Sequence, residues 1–126
     1  MDIRIKRVYE PPDSQDGFRV LVDRVWPRGM TKERAQADLW LKDAAPSTAL
    51  RKWFGHDRAK WEAFKSRYFS ELDAQPEAVT KLLDQAAQGR LTLLFSAHDT
   101  EYNQAAALRE YLLLRSKKSS LSKRGT

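Results

Sequence analysis

The chain has 126 residues, 41% of them hydrophobic and 32% charged, and no cysteine. That is enough for one domain with one core; it excludes disulfides, thiolate metal sites and thiol catalysis, fits a cytoplasmic location, and contains no run near the roughly 18 apolar residues of a membrane span, so no membrane partner is expected. The net charge is +6, but Lys117, Lys118, Lys123 and Arg124 supply +4 of it within residues 116–126, which leaves a body of 19 bases and 17 acids, a poor electrostatic footprint for nucleic acid.

Residues 2–9 (DIRIKRVY) alternate apolar and charged side chains and predict a first strand. The same mixing makes the N-terminal stretch unlike a signal peptide. EPPDSQDG, dense in Pro, Asp and Gly, reads as a loop. Phe18 to Arg24 alternates again and predicts a second strand, which Pro27 and Gly29 turn aside in WPRG. Thr31 is placed to N-cap a short helix, TKERAQ. Ala37 to Lys42 (ADLWLK) predicts a third strand or extended segment. Ser47 then opens a helix that Gly55 ends. From Asp57 to Leu72, the residues Trp61, Phe64, Tyr68 and Leu72 form one apolar stripe at helical spacing. Pro76 and Gly89 bracket another helix, with Val79, Leu82, Leu83 and Ala86 on its buried side. Leu91 to Ala97 (LTLLFSA) is almost continuously apolar, as a strand covered on both faces should be. A last helix, capped by Asp99 or Thr100, is expected to run to about Leu114 along a stripe of Tyr102, Ala105, Leu108 and Leu112. Residues 116–126 are polar, basic and Ser-rich, and read as a disordered basic tail after a domain of residues 1–115.

The order of elements predicts an α/β domain. Its mainly parallel sheet has about four strands flanked by helices, with a helical insertion between the third and last strands placed to wall or cover a pocket. In such sheets ligands bind beyond the carboxyl ends of the strands. Asp23 and Arg24 lie at one such end and Arg28 follows the turn, so two planar guanidinium forks flank one acid. They suit an anion, with Asp23 orienting a hydroxyl or acting as a base; the alternative is a structural Asp–Arg pair that pins the turn. Trp26 is placed either to stack on a base or sugar or to pack in the core. His56, after Gly55, is a candidate acid or base, or a helix-end residue facing carbonyls. Ser96, Asp99 and Asn103 follow the LTLLFSA strand toward a helix start whose free amides suit an anion.

Ser96, His98 and Asp99 share a hydrolase triad's composition but not its setting, since no GxSxG elbow surrounds Ser96. The two histidines lie in distant loops without HExxH spacing, so no metal set is indicated. No GxGxxG or Walker sequence is present, so no cofactor follows from a motif.

Five segments, KRVYEPP, GFRVLVDRVWPRG, LKDAAPS, LRKWFGHD and LTLLFSAHDTEYN, occur in an order and spacing that resemble the YeaO-like branch of the family named domain of unknown function 488. The resemblance covers residues 1 to about 115. It implies a small α/β domain of bacterial cytoplasmic type with no agreed activity. Similar proteins tend to carry Asn-His where this chain has Asn103-Gln104; a Gln can hydrogen-bond but cannot exchange a proton near neutral pH. The residues point to a small enzyme or binding domain for a phosphorylated or nucleotide-like small molecule at the C-terminal edge of the sheet, with Asp23, Arg24 and His56 as its catalytic candidates. Weak nucleic-acid contact through the tail, or docking of a protein on the Trp53-Phe54 region, are the alternatives.

Overall fold

Four short segments of alternating or wholly apolar residues become strands: β1 (Ile3–Arg7), β2 (Phe18–Leu21), β3 (Leu39–Trp40) and β4 (Leu91–Phe95). The helices are α1 (Lys32–Ala35), α2 (Thr48–Phe54), α3 (Trp61–Asp73), α4 (Pro76–Gln88) and α5 (Gln104–Arg124), with single 3-10 turns at Ser14–Asp16, Lys42–Ala44 and Arg58–Lys60. This computed structural model describes residues 1–124, with side chains through Lys117.

The sheet is all-parallel, in the order β1-β4-β2-β3. The last strand thus enters between the first two. All five residues of β4 are buried, which is why its sequence lacks a polar alternation. Helices cover the two faces unequally. On one side Val20, Val22, Leu91, Leu93 and Phe95 pack against α2 to α5. On the other, Leu21 and Leu94 form a smaller cluster with Val8, Met30 and Ala35, with Trp26, Ala37 and Trp40 alongside.

Local chemistry starts and stops the helices largely as their sequences predict. Thr31 caps α1 by accepting the Arg34 amide at 3.1 Å. Ser47 caps α2 by accepting the Leu50 amide at 3.1 Å, and Gly55 ends α2 in the left-handed region. On α3, Phe64, Tyr68 and Leu72 are buried, and Trp61 is half-buried. Each fully buried ring or leucine contributes roughly 1.5–3 kcal/mol. On α4, Ala78, Val79, Leu82 and Ala86 are buried and Leu83 is half-buried.

Three expectations change. β3 is only two residues long: the flanking amides of Asp38 and Leu41 still donate to the Arg19 and Leu21 carbonyls of β2, but the chain turns at Lys42–Ala44 directly afterwards. The cap of α5 is Asn103, whose Oδ1 accepts the Ala106 amide at 2.9 Å, rather than Asp99 or Thr100. Asp99 instead holds the preceding turn by accepting the amides of Glu101 and Tyr102, each at 3.0 Å. Finally, α5 continues past Leu114 to Arg124, so the segment read as a tail from residue 116 is helical to that point; residues 125–126, and side chains from 118, lie outside the described residues. No helix among the described residues is long and apolar enough to cross a membrane.

The opposite end of the sheet is closed by a structural knot. Asp13 and Asp16 form a capping box, and the buried Asp16 carboxylate takes Lys6 at 3.1 Å and also bonds Arg19. Arg19 donates in turn to the Gln36 and Ala35 carbonyls at 3.0 and 2.6 Å. Gly17 (φ +69°) passes so close to strand β4 that a Cβ there would run into the Arg90 carbonyl oxygen.

Candidate site at the carboxyl ends of β2 and β4

The register decides what meets at the other end. Leu21 lies opposite Leu94, and Val22 N–H continues the ladder to the Leu94 carbonyl at 3.1 Å. Two residues further on, Asp23 stands opposite Ser96. Its Oδ2 accepts the Ser96 amide at 3.1 Å, and its Oδ1 accepts the Gln104 side-chain amide at 2.5 Å. Asp23 is 5% exposed. Burial is the main influence on its carboxyl and raises it above the ordinary range; the bonds from Ser96 and Gln104 and the nearby Arg51 charge offset part of that.

The WPRG segment is held away from the strand by its own indoles. Trp26 Nε1 donates to the Met30 carbonyl at 2.6 Å, and Trp40 Nε1 donates to the Asp23 carbonyl at 2.7 Å. The two rings meet edge-on at 5.3 Å. Tyr9 Oη donates to the Arg28 carbonyl at 2.8 Å, while the Arg28 side chain is exposed. Arg24 forms no ion pair with Asp23. It donates from Nε to the Pro46 carbonyl and from Nη2 to the Ala45 carbonyl, both at 3.1 Å, clamping this turn to the start of α2. The pinning is real, but its partner is backbone rather than an acid.

Ser47 is fixed by more than its capping bond: Glu71 of α3 accepts its amide at 2.7 Å and its hydroxyl at 2.5 Å. From this anchored start, α2 carries Arg51 and Lys52 to the site and buries Phe54. Gly55 and His56 are both left-handed, with φ of 53° and 60°. For His56 that is an uncommon conformation, and it turns the exposed imidazole toward the site.

These groups enclose a cavity of about 510 Å³, the size of a small-molecule site. Asp23, Arg24, Trp26, Arg28 and His56 line it, and so do Ser96 and Asn103. Asp99 does not; its carboxylate takes Arg58 at 3.0 Å, and its backbone carbonyl takes Asn103 Nδ2 at 2.9 Å. Arg58 and two backbone amides hold the Asp99 carboxyl below the ordinary range. Asn103 lines the wall at 2% exposure, with both ends of its amide committed to Asp99 and Ala106. Its role is to set the start of α5.

Sequence reasoning missed Arg51, Lys52, Tyr102 and His98 as lining residues. Arg51 was accessible in principle, because it lies three residues before Phe54 and so shares its helix face. The helical spacing of Tyr102 with Ala105, Leu108 and Leu112 predicts a core stripe instead. Tyr102 lies before α5 and is fixed at the rim, edge-on to Trp61 at 5.4 Å and under the Arg58 guanidinium at 4.5 Å. Phe54, one of the two aromatics considered for protein docking, is 6% exposed. Trp53 is half-buried beneath Arg67 and Lys60.

The charge balance is lopsided. Arg24, Arg28, Arg51 and Lys52 line the cavity with a single carboxylate, Asp23. Among the described residues, none of the four has a carboxylate within 4.0 Å. No cluster of three His, Asp or Glu side chains is placed to hold a metal among the described residues.

A family model described as the inactive DUF488-N3 subclade matches residues 2–125. The chain is 42% identical over 112 residues to the uncharacterized protein YeaO of Escherichia coli K12, an alignment covering 89% of this chain and 97% of that one. It is 37% identical over 110 residues to the uncharacterized proteins Mb3100c of Mycobacterium bovis and Rv3073c of Mycobacterium tuberculosis, covering 87% of this chain and 92% of each of theirs. No solved structure matches the chain. A family match over nearly the whole length, and relatives aligned end to end, place the chain in the YeaO-like branch of the DUF488 family, within the subclade described as inactive DUF488-N3.

Proposed function

We propose that this protein binds a small phosphorylated or nucleotide-like anion in the cavity at the carboxyl ends of β2 and β4, and that it binds rather than converts it. The observation that carries the reading is the set of four cationic side chains, none paired with an acid, around one buried carboxylate. Unpaired cations in a concave, partly apolar site attract and orient an anion. The start of α5 adds the positive end of a long helix to the same wall. Phe54, Phe64 and Tyr102 give it an apolar flank for a ring or sugar face.

Two features favour binding over turnover. The side chain bonded to Asp23 Oδ1 is a Gln amide, which cannot shuttle a proton. The matching family model is described as inactive. The test is a shift-perturbation titration by NMR with nucleotides and sugar phosphates. Movement of the Asp23–Arg28, Arg51–His56 and Ser96–Gln104 amides is expected. Shifts confined to residues beyond 115, with those segments unmoved, would remove the proposal.

A further inference from the structure

Asp23 is the odd member of its surroundings. A site made only to attract anions has no use for a carboxylate, yet one stands between Ser96 and Gln104, lining a cavity whose other charged groups are cationic. A carboxylate accepts about four hydrogen bonds across its two oxygens. Each oxygen of Asp23 receives one N–H from the protein, and the Ser96 side chain also bears on the carboxylate, so about one of its four accepting positions is left over at the cavity wall. Gln104, which also lines the cavity, fixes this polarity by donating its Nε2 to Asp23. An acceptor placed among cations selects for a guest that is negative overall and brings a hydrogen of its own. A guest whose every oxygen is a bare acceptor would set lone pairs and like charge against the Asp23 carboxylate, and a buried acceptor facing another acceptor is a strong discriminator.

We infer that Asp23 makes the cavity selective for an oxyanion carrying an O–H donor, such as hydrogen phosphate or a hydroxyl-bearing phosphate ester, over fully deprotonated oxyanions of the same size and charge. This rests on the anion-binding reading above and narrows it. Hydrogen phosphate and sulfate form the decisive pair. At about pH 8 both are dianions of similar size, but only the first has a hydrogen to give. The cationic groups treat the two alike; Asp23 does not.

The experiment is isothermal titration calorimetry on the full chain at about pH 8 with inorganic phosphate, sulfate and ribose 5-phosphate. Phosphate or ribose 5-phosphate is expected to bind at least ~100-fold more tightly than sulfate. A preference for the sugar phosphate over phosphate would identify the sugar hydroxyl as the donor, and the reverse would identify the phosphate's own. In Asp23→Asn the amide N–H can donate to any oxyanion, so sulfate affinity is expected to rise toward that of phosphate. Sulfate binding within threefold of the best ligand in the native chain would overturn the inference and leave the anion site standing. So would discrimination that survives in Asp23→Asn. No binding of any of the three would overturn both readings together.

Discussion

Replacing Asp23 tests whether a buried carboxylate holds the two strand ends together. In Asp23→Ala the Ser96 amide loses its acceptor in a half-buried position, at about 1–3 kcal/mol. The Gln104 amide lines the cavity and can turn to water, so its loss costs little. Removing a buried charge returns part of the deficit, which leaves a net destabilisation of about 1–2 kcal/mol at neutral pH. Asp23→Asn keeps an oxygen for Ser96, and its NH2 can face Gln104 once that amide turns over. Its stability at neutral pH should equal or slightly exceed that of the native chain. The native Asp23 carboxyl is raised by burial, so the folded state holds its proton more tightly than the unfolded state does. Its stabilising contribution is therefore present at low pH and is lost as pH rises through the folded value. Denaturant melts of the native chain and both variants at about pH 4 and about pH 8 would measure this, with 1 kcal/mol corresponding to roughly 4 °C in a thermal scan. The gap between native and Asn variant should favour the native chain more at the lower pH. An Ala variant as stable as the Asn variant at both pH values, or a gap that does not move with pH, would refute the account.

Gly17→Ala should destabilise the fold by roughly 2–4 kcal/mol by denaturant melt, because a Cβ at φ +69° would be strained and would meet the Arg90 carbonyl that Phe18 N–H uses. Arg24→Ala removes two charged donors from the Ala45 and Pro46 carbonyls; a loss of about 1.5–3 kcal/mol is expected, with faster amide exchange at the start of α2. Ser47→Ala removes the cap of α2 and a partner of Glu71, so a loss of about 1–2 kcal/mol is expected from the same melts. Tyr68→Phe deletes a buried hydroxyl that donates to the Ala44 carbonyl; a loss of about 1 kcal/mol would confirm that bond, and no change would argue against it.

Patterns of residue type determined much of this protein locally. Period-two alternation in Phe18–Arg24 and the unbroken apolar run at Leu91 mark β2 and β4, because a strand's side chains must alternate or be covered on both sides. Ser47, Gly55, Pro76 and Thr31 mark helix ends through caps that involve only neighbouring residues. Asp23, Arg24 and Arg28 stood out because charge at a strand end is the usual setting of a ligand site in this architecture. Tertiary structure decided most of the rest, since those relations join residues from different elements and have no local signal. The β1-β4-β2-β3 order puts Ser96 opposite Asp23. The packing of α5 brings Gln104 to the same carboxylate. Arg24 turned to the Ala45 and Pro46 carbonyls rather than to the adjacent Asp23, because those acceptors lay within its reach and the strand had already committed Asp23 to Ser96. Asp99, next to the candidate residues in sequence, went to Arg58 outside the cavity, since a turn that needed two amides capped had first claim on its carboxylate.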